Sequence, residues 1–161
     1  WLPDYDCNRE KPEDPFKPYG STPGHGIEWA RLITQWALTT YGEDRTASAE
    51  YIDGAECLYN RAVEDAWNRD GAPGLVYTTD WKGTPVVHDR MHGTLAEAIN
   101  TSAVLYRVTG KEKYAREYAE FMRYLDEKVH DRYYSAYLKA LNKIEEIYNQ
   151  NTGKCTDSHH S

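Results

Sequence analysis

Apolar residues recur at spacings of three and four through most of this chain, as in helices that bury one face. Ile27, Leu32, Ile33, Trp36 and Ala37 mark a first helix that starts near Pro23 and stops at Gly42. Proline suits the first helical position, with Ser21-Thr22 as the cap. A second helix, capped by Thr46 or Ser48, runs through Tyr51, Ile52, Ala55, Leu58, Tyr59, Ala62, Val63 and Ala66 and ends before Gly71-Ala72-Pro73-Gly74. The pattern then becomes that of strands. Leu75-Val76-Tyr77-Thr78-Thr79 and Thr84-Pro85-Val86-Val87 flank the turn Asp80-Trp81-Lys82-Gly83, a short β-hairpin near 75–87 inserted between helices. A third helix is predicted over about 94–108, ending at Gly110. A fourth carries Tyr114, Tyr118, Phe121, Met122 and Leu125, and a fifth covers 133–148.

The ends read differently. Residues 1–22 hold Pro3, Pro12, Pro15, Pro18 and Gly20 among mixed charges, which predicts an extended segment lying over other elements. Residues 151–161 form a polar tail with the composition of a disordered end. Between these ends, helical hairpins alternate short and long connections, so the predicted class is all-α, with hairpins side by side in a solenoid or toroid. Residues 1–150 form one such domain. A closed toroid of hairpins needs far more than 161 residues, and the chain begins at Trp1 without a leader or an apolar run of membrane length. These features predict a piece of a longer polypeptide.

A net charge of −7 argues against nucleic acid or an anionic membrane as partner, since both require a basic surface. A neutral small molecule fits better. Fourteen tyrosines and five tryptophans against two phenylalanines provide aromatic faces with polar tips, which suit carbohydrate sites and ordinary helix interfaces alike. Most of them are assigned to packing. Cys7, Cys57 and Cys155 are odd in number and dispersed, so neither a disulfide framework nor a thiolate metal site is indicated, and a cytoplasmic location is expected. Asn100-Thr101-Ser102 matches the glycosylation pattern but falls within a helical period, and carries little weight.

Two clusters bear chemistry. His25 and Glu28, three apart at the start of the first helix, project from one face and can meet one substrate. Histidine ordinarily titrates near neutrality, which suits abstraction and return of a proton. A helix-capping histidine beside an exposed glutamate has the same spacing, and spacing alone favours that plainer reading. The second cluster, His88-Asp89-Arg90-Met91-His92-Gly93-Thr94-Leu95-Ala96-Glu97, leaves the hairpin and enters the third helix. His88 and His92 have the spacing of a helical metal pair, but Gly93-Thr94 places the helix start after them, so no metal site is expected. Glu97, with His92 or Arg90, could bond the hydroxyls of a sugar at the same mouth as His25.

The run Phe16-Lys17-Pro18-Tyr19-Gly20-Ser21-Thr22-Pro23-Gly24-His25-Gly26-Ile27-Glu28-Trp29-Ala30-Arg31-Leu32 is followed in order by Val76-Tyr77-Thr78-Thr79-Asp80-Trp81, Pro85-Val86-Val87, Arg90-Met91-His92 and Ala96-Glu97-Ala98-Ile99. Over roughly residues 1–131 this series resembles the N-acylglucosamine 2-epimerase superfamily, in its mannose and sulfoquinovose isomerase branch. The resemblance implies about half of an (α/α)6 barrel that interconverts aldose and ketose through a cis-enediol, without metal or other cofactor. It makes His25 one of two proton-transfer histidines, and Glu28 its neighbour that binds substrate or tunes it. It places Phe16, Met91 and Glu97 in the sugar pocket. Two positions depart from that pattern. Gly93 stands where the branch has a tryptophan, and Arg132-Tyr133-Tyr134-Ser135-Ala136-Tyr137 lacks the second catalytic histidine. A 2-epimerase and a non-catalytic sugar-binding relative therefore remain as alternatives, with a helical interaction module behind them. A homo-oligomer of the intact protein stays open.

Overall fold

The computed structural model describes residues 9–14, 16–42, 44–130 and 143. Helix α1 spans Pro23–Tyr41 and α2 spans Arg45–Ala66. Two short strands follow, β1 at Thr78–Thr79 and β2 at Pro85–Val87, and then α3 at His92–Thr109 and α4 at Glu112–Tyr124. The all-α class with an inserted hairpin is therefore as the periodicity indicates. The chain divides into two compact units, Trp1–Tyr124 and Leu125–Ser161. Within the second, Leu125–His130 forms a π-helical stretch. The expected fifth helix and the tail lie outside the described residues.

Local chemistry sets the helix ends. Pro23 opens α1 as expected, but the Thr22 side chain makes no capping bond. The chain ahead of the helix is held by backbone instead: Ser21 and Thr79 exchange N–H···O bonds of 2.8 and 3.0 Å, adding the entering segment to the edge of β1. Gly20 permits this approach, because a Cβ there would stand 2.6 Å from the Thr79 carbonyl oxygen. Helix α2 is capped by Asp44, not by Thr46 or Ser48; its carboxylate accepts from the N–H groups of Thr46 and Ala47 at 3.1 and 3.0 Å. Gly110, left-handed at φ 68°, ends α3. The other end of α3 lies two residues earlier than Thr94, with His92 in its first turn.

Helix α1 packs against both α2 and α3, and α3 against α4. The contact face of α1 is made of Ile27, Ala30, Thr34 and Ala37, while Leu32 and Trp36 remain exposed. This corrects the expected face, and small residues are the reason. Ala30, Ala37, Ala55, Ala62, Ala66 and Ala98 are fully buried, so the helices approach closely where side chains are shortest. The large rings go to the margin, where Trp36 meets Tyr41 and Tyr51 at centroid distances of 5.9 and 4.9 Å. Tyr59, Tyr114 and Phe121 fill the wider space between α2, α3 and α4.

A polar seam runs through that second interface. Glu56 of α2 receives Lys111 at 2.7 Å and the Tyr114 hydroxyl at 2.7 Å. Beside it the Tyr59 hydroxyl and the Glu117 carboxyl are buried, and Lys113 meets Glu117 Oε1 at 3.5 Å. Burial pushes the Glu117 carboxyl above its ordinary pKa, against the opposing attraction of Lys113. A carboxylate raised in this way contributes stability in acid that is lost as pH rises through its folded pKa. Glu117→Gln should therefore stabilise the protein at pH 7, by on the order of 1 kcal/mol, and flatten its stability between pH 5 and 8. Denaturant unfolding at both ends of that range checks it; a less stable variant at pH 7 would contradict it.

Candidate active site

The short connections, at Gly42–Asp44 and Gly110–Lys111, lie at one end of the helices, and the long ones lie at the other. The long ones bring the first turns of α1 and α3 together. Gly24 sets their separation, since a Cβ there would lie 2.7 Å from Thr94 Oγ1. Deeper in the same interface, the buried Thr101 hydroxyl donates to the Ile27 carbonyl at 3.1 Å. The two helices thus run side by side with their positive ends at one mouth.

A cavity of about 370 Å³ opens there, within the usual size range of small-molecule sites. Helix α1 contributes His25 and Glu28 to its wall. The start of α3 contributes Met91, His92, Gly93, Thr94 and Glu97, and the hairpin contributes Tyr77. His25, Glu28, Met91, His92 and Glu97, selected from sequence, are thus gathered in one concavity. The wall is open at Gly93, where an added Cβ would meet nothing within 4 Å.

Phe16 and Arg90 are placed elsewhere. The Phe16 ring is 91% exposed and stands outside the cavity wall. Its segment is turned by Asp14, whose Oδ1 accepts from the N–H groups of Phe16 and Lys17 at 2.9 and 3.0 Å. Arg90 is not part of the cavity wall, and Asp70 engages its guanidinium through both terminal nitrogens. The same guanidinium donates to the carbonyls of Pro73 at 3.1 Å, Ala72 at 3.0 Å and His88. Asp70 also receives His88 Nδ1 at 2.7 Å. Together these bonds fasten the 70–74 loop to the segment that leads into Met91 and His92.

His88 is engaged by Asp70, while His92 lines the cavity. Among the described residues no group of three His, Cys, Asp or Glu side chains is arranged to hold a metal ion. Periodicity alone missed Arg31. Its Nε and Nη2 donate to the two carboxylate oxygens of Glu97 at 2.6 and 2.9 Å, joining α1 to α3 below the cavity. The signal was present in its position, three residues after Glu28 on the same helix face. The Glu97 hydrogen bond, reinforced by attraction to Glu97 and Glu28, raises the Arg31 pKa.

The chain is similar to known proteins along most of its length. The sequence model of the family described as N-acylglucosamine 2-epimerase (GlcNAc 2-epimerase) matches residues 1–160. The chain belongs to that family. It is 38% identical over 146 residues to a D-mannose isomerase of Pseudomonas cannabina pv. alisalensis, covering 91% of this chain and 35% of that protein. A D-mannose isomerase of Thermobifida fusca is 41% identical over 118 residues, covering 73% of this chain and 28% of its own. A crystal structure of a D-mannose isomerase superposes with a TM-score of 0.65 at 29% identity, covering 78% of this chain and 30% of that one. The chain therefore spans about a third of the length of the curated relatives it matches. Its helical hairpins are a portion of the α/α-barrel architecture expected for the family.

The Asp70 clamp makes a prediction of its own. Arg90 above all, with help from His88 and the Ala72 N–H, holds the Asp70 carboxyl well below the usual carboxylate range. Stability from a lowered carboxylate is present above its unfolded pKa, near 4, and is lost as pH falls through the folded one. Asp70→Asn should cost about 2 kcal/mol at pH 7 and leave a shallower acid limb in unfolding measured from pH 7 down to 3. An unchanged acid limb would contradict the clamp.

Proposed function

We propose that this mouth carries the interconversion of a mannose-like aldose and its ketose, by proton transfer between C1 and C2 through a cis-enediol. One observation carries the reading. His25 and Glu28 open into the same cavity as His92 and Glu97, in a chain up to 41% identical to D-mannose isomerases. His25 takes the proton from C2 and a histidine returns one to C1, while the proton of the C2 hydroxyl passes to the oxygen on C1, so aldose and ketose balance. Negative charge developing on the enediolate oxygens faces the positive ends of α1 and α3, which supports it electrostatically. Glu28 and Glu97 accept from sugar hydroxyls, and Tyr77 lends an aromatic wall. The two glutamates in the described lining suit the hydroxyls of a sugar.

A second reading, inversion at C2 by the same deprotonation, is favoured by the name of the matching family. Product analysis separates the two, since an epimerase gives no net ketose. No helix among the described residues is long and apolar enough to cross a membrane. The acidic charge and dispersed cysteines support a cytoplasmic enzyme. Incubated with mannose, the full-length protein should produce fructose, and His25→Asn should lower kcat roughly 10³-fold while sugar binding changes little. Absence of ketose from folded wild-type protein, or a His25→Asn variant of wild-type rate, would overturn the assignment.

A further inference from the structure

We propose that Arg31 is a positioning residue that fixes the Glu97 carboxylate as a hydrogen-bond acceptor for a sugar hydroxyl. The inference rests on the sugar-binding reading of the cavity and extends it to a residue outside the cavity wall. All three guanidinium nitrogens are engaged: Nε on Glu97 Oε2 at 2.6 Å, Nη2 on Glu97 Oε1 at 2.9 Å, and Nη1 on Gln35 Oε1 at 3.0 Å. Gln35, one turn along α1, thereby holds the arginine as the arginine holds the glutamate. The pair is well shielded, with 20% of the Arg31 side chain and 26% of the Glu97 side chain exposed.

The geometry has a chemical consequence. A carboxylate offers about four lone-pair directions, and the fork of Arg31 occupies one on each oxygen. The remaining directions are left for a ligand in the cavity that Glu97 lines. A carboxylate only accepts, which selects a ligand group that donates, as a sugar hydroxyl does. The guanidinium also offsets the proximity of two cavity carboxylates, since Glu28 attracts it as well. Lysine would keep the charge but lose the fork.

A group that binds substrate and transition state equally acts on KM and leaves kcat in place. In the full-length protein, Arg31→Met should raise the Kd and KM for mannose about tenfold with kcat within about threefold of wild type, and Arg31→Lys should fall between them. Glu97→Gln should raise Kd similarly, and adding Arg31→Met to it should cost less than threefold more, because the two act as a unit. Calorimetric titration with mannose reads the coupling without turnover. Additive losses, or a kcat that falls as far as KM rises, would overturn the role of Arg31 alone. If folded wild-type protein makes ketose but Arg31→Lys matches wild type in Kd, the fork has no role. Failure of wild type to bind mannose at all would overturn both this inference and the functional reading beneath it.

Discussion

The arrangement depends on the close approach of α1 and α3 at Gly24 and Thr94. With Thr94 Oγ1 placed 2.7 Å from where a Cβ would be, any larger residue at position 24 would force the Thr94 side chain to shift. That contact puts two helix N-termini at one mouth and brings His25 and Glu28 into the same cavity wall as His92 and Glu97. It also sets the distance across which Arg31 reaches Glu97. A wider separation would break the fork as well as the cavity.

The rest of the described fold maintains that approach. Alanines at the helix interfaces permit close packing, and the buried hydroxyl of Thr101 locks α3 to the Ile27 carbonyl. At the mouth, two polar devices hold the connections that no helix restrains. The Ser21–Thr79 bridge fixes the approach to α1, and the Asp70–Arg90 clamp fixes the approach to α3. Each ties down a segment immediately before a helix that carries cavity residues. Side-chain charge is thus used mainly for placement, in Arg90 and Arg31 alike, while the cavity wall presents imidazoles, carboxylates and a phenol.

Much of this was legible in the sequence, for identifiable reasons. Helix positions followed from the apolar period and from Pro23, Gly42 and Gly110, because these act locally. The gathering of His25, Glu28, Met91, His92 and Glu97 followed from the family resemblance that the ordered motifs carry. What escaped depended on partners distant in sequence. Arg90 looked like a ligand group until Asp70, 20 residues away, claimed it. The inward face of α1 was misjudged because Leu32 and Trp36 are more apolar than Ala30 and Thr34, yet helix packing selected the smaller set. Phe16 lies in a segment whose turn is set by Asp14, and hydrophobicity alone does not reveal that.

The central claim is that His25 moves a substrate proton at this mouth. The most direct measurement follows mannose and fructose by NMR in deuterated solvent with the full-length protein. The account predicts solvent deuterium at the sugar carbon that receives the proton, formed together with ketose and lost in His25→Asn. Ketose formation that remains free of solvent label and independent of His25 would contradict it.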